Sequence, residues 1–205
     1  MNISLTTFLD FINSRGTDKP GIVKDTIKQG EYNPNNDLYK DIREMIVSIQ
    51  KGHKTIDDLL SISKRSKQKR ENYPPIILGY IKWSTNKSFE HIRDDKFVYN
   101  FEGLHLSINP ELIIKIKNRP AVVKLYFKAE PLRKSSAEVL SVLLREAYLN
   151  HNSELYNNYD FGVLDVRKGY YHRITATTNA ELIMNVLTSE AATWRSNLSF
   201  FHQEA

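Results

Sequence analysis

Apolar residues recur at helical spacing through the first 87 residues of the chain, and at strand spacing through much of the remainder. Leu5, Phe8, Leu9 and Ile12 share one helical face, and Gly16 offers a stop. A second helix is predicted from Asp18 to Gly30, with Pro20 tolerated in its first turn. Asn33-Pro34-Asn35-Asn36 reads as a turn. Asp37 then stands where it can cap a helix with the stripe Leu38, Ile42, Met45, Ile46 and Ile49, closed by Gly52. Thr55 opens another helix through Leu59, Leu60 and Ile62, with Asp57 and Asp58 in the first turn, where the helix dipole favours anions. That helix is expected to run into Lys64-Arg65-Ser66-Lys67-Gln68-Lys69-Arg70. Pro74-Pro75 then opens a short helix from Ile76 to about Trp83.

After Ser84 the period changes. Gly103 to Ile108 alternates apolar and polar, as a half-buried strand does. Leu112-Ile113-Ile114-Lys115-Ile116 predicts a second strand, Asn118-Arg119-Pro120 a turn, and Ala121 to Lys128 a third strand. So short a turn leaves no room for a crossover, so these two strands are expected to be antiparallel neighbours. Val139, Leu140, Leu143, Leu144 and Ala147 mark a helix from Ser135 to about Tyr148. Phe161 to Arg167 is a continuous apolar run, expected as a strand buried on both faces. Lys168-Gly169 turns the chain so that Tyr170 to Ile174 can pair with it. Thr178, with Glu181 three residues on, forms a capping box for a last helix through Leu182, Ile183, Val186 and Leu187. The expected fold class is α/β (α+β): a mixed central sheet flanked by helices. Residues 1–87 form a helical N-terminal region on an α/β core of residues 88–205, the two making one compact unit.

Composition narrows the chemistry. The chain has 205 residues and no cysteine, which excludes a thiol nucleophile, a disulfide framework and a cysteine zinc site. Its six histidines, His53, His91, His105, His151, His172 and His202, show no zinc-ligand spacing. No Gly-rich phosphate loop and no GxSxG elbow occurs. No basic segment followed by an apolar run stands at the N-terminus, and no apolar stretch approaches the roughly 20 residues that span a bilayer. A cytoplasmic protein without a membrane partner is therefore expected. The net charge of +5 draws it toward phosphate-rich polymers, so DNA or RNA is the candidate partner. Lys64, Arg65, Lys67, Lys69 and Arg70 are the candidate phosphate contacts, with Lys124 added from the third strand. Tyr73, Tyr80 and Trp83 stand near them, where they either stack on bases or fill the core.

Asn109-Pro110-Glu111 opens the second strand, and Lys124-Leu125-Tyr126-Phe127-Lys128 ends the third. This order of strand, strand, strand, helix, strand resembles the PD-(D/E)XK, or restriction-endonuclease-like, superfamily. The resemblance implies that two carboxylates hold a Mg²⁺ ion while a lysine orients the attacking water. Glu111 then matches the first acid and Lys128 the lysine. Tyr126 stands where the second acid belongs, and a neutral phenol is a poor ligand for a hard cation. Glu130 is the candidate replacement beside Glu111, provided the strand extends to the residue before Pro131, and Asp165 is a further candidate acid. An ion pair is the plainer reading of Asp165, with Arg167 or Lys128 as its partner. The whole chain is also similar to a group of bacterial proteins of no assigned function, through stretches such as Phe8-Leu9-Asp10-Phe11, Tyr39 to Glu44 and Leu164-Asp165-Val166-Arg167.

Three readings stand at this point. The first is a nucleic-acid-binding protein on a degenerate nuclease-like scaffold. The second is an active Mg²⁺-dependent nuclease using Glu111, Lys128 and an acid such as Glu130 or Asp165. The third is a protein-interaction module whose partner is unknown, with an apolar patch around Trp194, Leu198, Phe200 and Phe201.

Overall fold

The computed structural model describes residues 2–30, 33–62 and 66–203. Strand β1 (Asn2–Ser4) leads directly into α1 (Leu5–Asn13), whose start is fixed by the Ser4 hydroxyl accepting the Thr7 N–H at 3.0 Å. Helices α2 (Lys19–Gln29), α3 (Lys40–Gln50) and α4 (Ile56–Ser61) follow, the last with the capping box between Thr55 and Asp58. Helix α5 (Lys67–Ser84) is longer than expected. Ser66 caps it by accepting the Lys69 N–H at 3.2 Å, so Lys67 to Arg70 begin this helix rather than end the one before. Pro74 and Pro75 lie inside it instead of opening it. Lys64 and Arg65 lie outside the described residues.

Strands β2 (Phe89–Arg93), β3 (Phe97–Phe101), β4 (Leu104–Ile108), β5 (Leu112–Ile116) and β6 (Arg119–Tyr126) come next. After them come α6 (Lys134–Tyr156), β7 (Asp160–Asp165), β8 (Tyr170–Arg173) and α7 (Ala180–Gln203). The strands form two mixed sheets, ordered β1-β4-β3 and β2-β5-β6-β7-β8. In the larger sheet β5 and β6 are antiparallel neighbours, β6 and β7 are parallel across the α6 crossover, and β8 returns antiparallel on β7. The β5–β6 turn is tighter than the expected Asn118-Arg119-Pro120. Lys117 and Asn118 both take positive φ, +51° and +66°, the pair of conformations that matches the twist of a two-residue hairpin.

One expected strand sits elsewhere. Leu104–Ile108 joins the smaller sheet, because Glu102 and Gly103 (φ +49° and +77°) fold it back on β3. The place beside β5 goes to β2. Two further corrections are local. Thr178 does not cap α7: its hydroxyl accepts the Thr175 N–H at 3.2 Å, and Asn179 takes the capping role by accepting the Leu182 N–H at 3.0 Å. Strand β6 ends at Tyr126, so Lys128 and Glu130 lie in the loop beyond it.

Side-chain alternation divides the interior into two cores, one on each face of the larger sheet. Ile113, Val122, Phe161 and Val163 pack with α1, α6, α7 and the smaller sheet. Leu112, Ile114, Val123, Leu125 and Leu164 pack with α3, α4 and α5. Tyr73, Tyr80 and Trp83 belong to this second core, which removes them as base-stacking candidates. No helix among the described residues is long and apolar enough to cross a membrane.

Candidate functional site

Glu111 precedes β5 and faces β6. One carboxylate oxygen accepts from the Lys124 ammonium at 2.6 Å and the other from the Leu125 N–H at 2.7 Å, and the side chain is only 6% exposed. The register explains this, since Leu112 pairs with Val123 and the next positions outward are Glu111 and Lys124. Lys128 is likewise engaged. Its ammonium donates to both oxygens of Asp10 on α1, one of them at 2.5 Å. Tyr126 donates its hydroxyl hydrogen to the Glu130 carbonyl at 3.1 Å. Burial, with the charges of Glu130, Asp10 and Asp165 nearby, pushes its phenol up to about 12, so it is neutral at physiological pH. These residues do not fit the Mg²⁺ role that the resemblance implies. Both Glu111 oxygens are committed inside the chain, and among the described residues no group of three or more Asp, Glu or His side chains is arranged to hold an ion.

Asp165, at the end of β7, is 2% exposed. Neither Arg167 nor Lys128 is the partner that its burial demands. Its oxygens accept the Lys168 N–H at 3.2 Å and the Leu132 N–H at 3.4 Å, and the Lys168 ammonium stands 3.8 Å away. Asp165 therefore organises the turn that carries Lys168, as a buried carboxylate at a strand end does. Arg167 donates from Nε to the Phe127 carbonyl at 2.8 Å and reaches Asn72 of α5 at 3.3 Å. In the basic run, Lys69 pairs with Asp41, while Lys67 and Arg70 are exposed on the first turn of α5.

The residues that converge are others. Leu78, Gly79 and Lys82 of α5 face Arg167, Lys168, Tyr170 and His172 across an open cleft of about 640 Å³. Two glycines set its geometry. A Cβ on Gly79 would lie 1.9 Å from the Val166 carbonyl oxygen, and one on Gly169 would lie 2.4 Å from the Gly79 carbonyl oxygen. Only a glycine-to-glycine contact lets α5 rest on the β7–β8 turn this closely. It brings the Lys82 ammonium to 3.3 Å from the Lys168 carbonyl. No family model, curated protein or solved structure matches this chain.

The cleft is cationic, with no carboxylate among its lining residues. His172 adds no charge at neutral pH: burial, aided by the Lys168 charge, pulls its imidazole below the ordinary value against the opposing effect of Asp165 and Glu138. Tyr170 is 60% exposed, and its ring makes a T-shaped contact with the imidazole at 4.6 Å between centroids. Lys168, Tyr170 and His172 were legible as a turn and a strand but carried no signal of a site. Lys82 and Leu78 become part of one only through the packing of α5. The apolar patch expected near the C-terminus reduces to Phe200, because Trp194 is buried and Leu198 and Phe201 pack against the core.

Proposed function

We propose that this chain binds nucleic acid through the cleft between α5 and the β7–β8 turn, on a restriction-endonuclease-like scaffold that lacks the metal site. The scaffold reading is supported by three antiparallel strands, β2, β5 and β6, followed by the α6 crossover to the parallel strand β7. The binding reading is carried by one observation: Lys82, Arg167 and Lys168 line a single cleft whose lining holds no carboxylate, and the nearest acid, the buried Asp165, stands 3.8 Å from Lys168 alone. Cations gathered in a concave site focus the field on a polyanion and release its counterions on contact. Lys67 and Arg70 extend the same helix toward its N-terminus, about 22 Å and about 18 Å from Lys82 by helical rise, and offer outlying contacts.

The test is fluorescence anisotropy of labelled DNA and RNA over a series of salt concentrations. Lys82→Gln with Lys168→Gln is expected to weaken binding and to flatten the slope of log K against log salt by roughly 2. Lys67→Gln with Arg70→Gln is expected to have a smaller effect of the same kind. Absence of binding at low salt sinks the proposal and favours the protein-interaction reading. Incubation with Mg²⁺ is expected to leave the nucleic acid intact. Cleavage lost in both Glu111→Ala and Lys128→Ala establishes the nuclease reading instead.

A further inference from the structure

Resting on that reading, we infer that the cleft is built for an unpaired strand, with a base stacked on Tyr170 and the backbone held by Lys82 and Lys168. A tyrosine on an edge strand that is 60% exposed covers no core. Leu78, 67% exposed, stands on the opposite wall and gives the cleft a second apolar surface at its rim. Lys82, Arg167 and Lys168 line the same cleft as these two. This distribution suits a chain whose charge and flat apolar surface are both accessible, and a single strand is such a chain. In a duplex the base faces are stacked on one another, so only phosphate reaches a shallow site and Tyr170 has nothing to stack on. A volume of about 640 Å³ is in the range of sites that hold a small organic ligand, room for a nucleotide unit but not for a double helix. Strand alternation places Tyr170 and His172 on one face of β8, where their rings meet in a T-shaped contact.

The experiment uses the full chain with a labelled oligothymidylate of roughly a dozen nucleotides, its duplex with oligoadenylate, and an abasic strand of equal length. The oligothymidylate is expected to bind about tenfold more tightly than the abasic strand or the duplex. Tyr170→Ala is expected to lower its affinity about tenfold while leaving the other two unchanged, and Tyr170→Phe to retain wild-type affinity. Equal affinity for single strand and duplex overturns the inference, as does an unchanged affinity in Tyr170→Ala. In either case, weakened binding of every probe by Lys82→Gln with Lys168→Gln still leaves nucleic-acid binding standing. If no probe binds, both fail together. A thermal melt of Tyr170→Ala matching wild type keeps misfolding out of the comparison.

Discussion

Glu111 shows how a carboxylate at the mouth of a hairpin serves as a structural tie. Its carboxylate is nearly sealed between Lys124 and the Leu125 N–H, so removing it leaves a poorly solvated ammonium and an N–H without their acceptor. Glu111→Ala is expected to cost about 3 kcal/mol of stability by chemical denaturation, with calorimetric Mg²⁺ binding unchanged. Unchanged stability together with lost Mg²⁺ binding would restore it as a metal ligand. The pairing was implicit in the sequence through the hairpin register. A two-residue turn at Lys117-Asn118 sets Ile116 against Arg119 and hence Glu111 opposite Lys124. Placing the turn one residue later hides that partner. Tyr148 is the converse case, a buried hydroxyl with no hydrogen-bond partner among the described residues. Burial also holds its phenol well above the usual tyrosine value. Tyr148→Phe removes an unsatisfied polar atom with little change of shape, and a gain of about 1 kcal/mol is expected in thermal or urea denaturation. A loss of similar size would reveal a partner for that hydroxyl.

Among the elements, α5 departs furthest from its sequence signals. Two consecutive prolines suggested a helix start, yet the serine cap at Ser66 starts the helix earlier and the core on Tyr73, Ile76, Ile77 and Tyr80 carries it through. Its glycine looks like a flaw by helix propensity, which favours Ala over Gly by about 1 kcal/mol. Packing reverses that preference. A methyl group at Gly79 would collide with the backbone carbonyls of Val166 and Arg167, and backbone there moves only with the β7–β8 turn. Gly79→Ala is therefore expected to destabilise by about 2 kcal/mol or more, read from guanidinium denaturation. It should also weaken oligonucleotide binding, because Lys82 and Lys168 no longer meet at the same separation. Stability equal to or above wild type would show that propensity wins and that the helix–turn contact is loose. Strands β2 and β3 were missed for a related reason. Phe97, Tyr99 and Phe101 do alternate, but β2 has only Phe89, His91 and Ile92 to mark it, and its place beside β5 is a long-range choice that local spacing does not encode.

At the scale of the whole molecule, the broad arrangement was legible because it comes from period and turn length. The antiparallel β5–β6 pair, the crossover helix and the doubly buried β7 all rest on these. The cleft was not, because it joins a helix of the first 87 residues to a turn near residue 168, and only the packed sheet brings them together. The same packing gives the protein a collective response to alkali. Burial is the main cause that raises the phenols of Tyr80, Tyr99, Tyr126, Tyr148, Tyr156 and Tyr171, with Tyr80 and Tyr126 pushed up to about 12. An unfolded tyrosine loses its proton near pH 10, so above that pH the unfolded state binds fewer protons than the folded state. The stability associated with Tyr80 and Tyr126 is thus fully present below about pH 10 and is lost as pH rises toward about 12. Tyr126→Phe isolates one of them, since its hydroxyl makes a single hydrogen bond, to the Glu130 carbonyl, among those described. The unfolding free energy of wild type, measured by urea denaturation at a series of pH values, is expected to fall more steeply through this window than that of Tyr126→Phe. Parallel curves would mean that Tyr126 titrates in the folded protein as it does in the unfolded chain, and that neither burial nor the neighbouring carboxylates hold its proton.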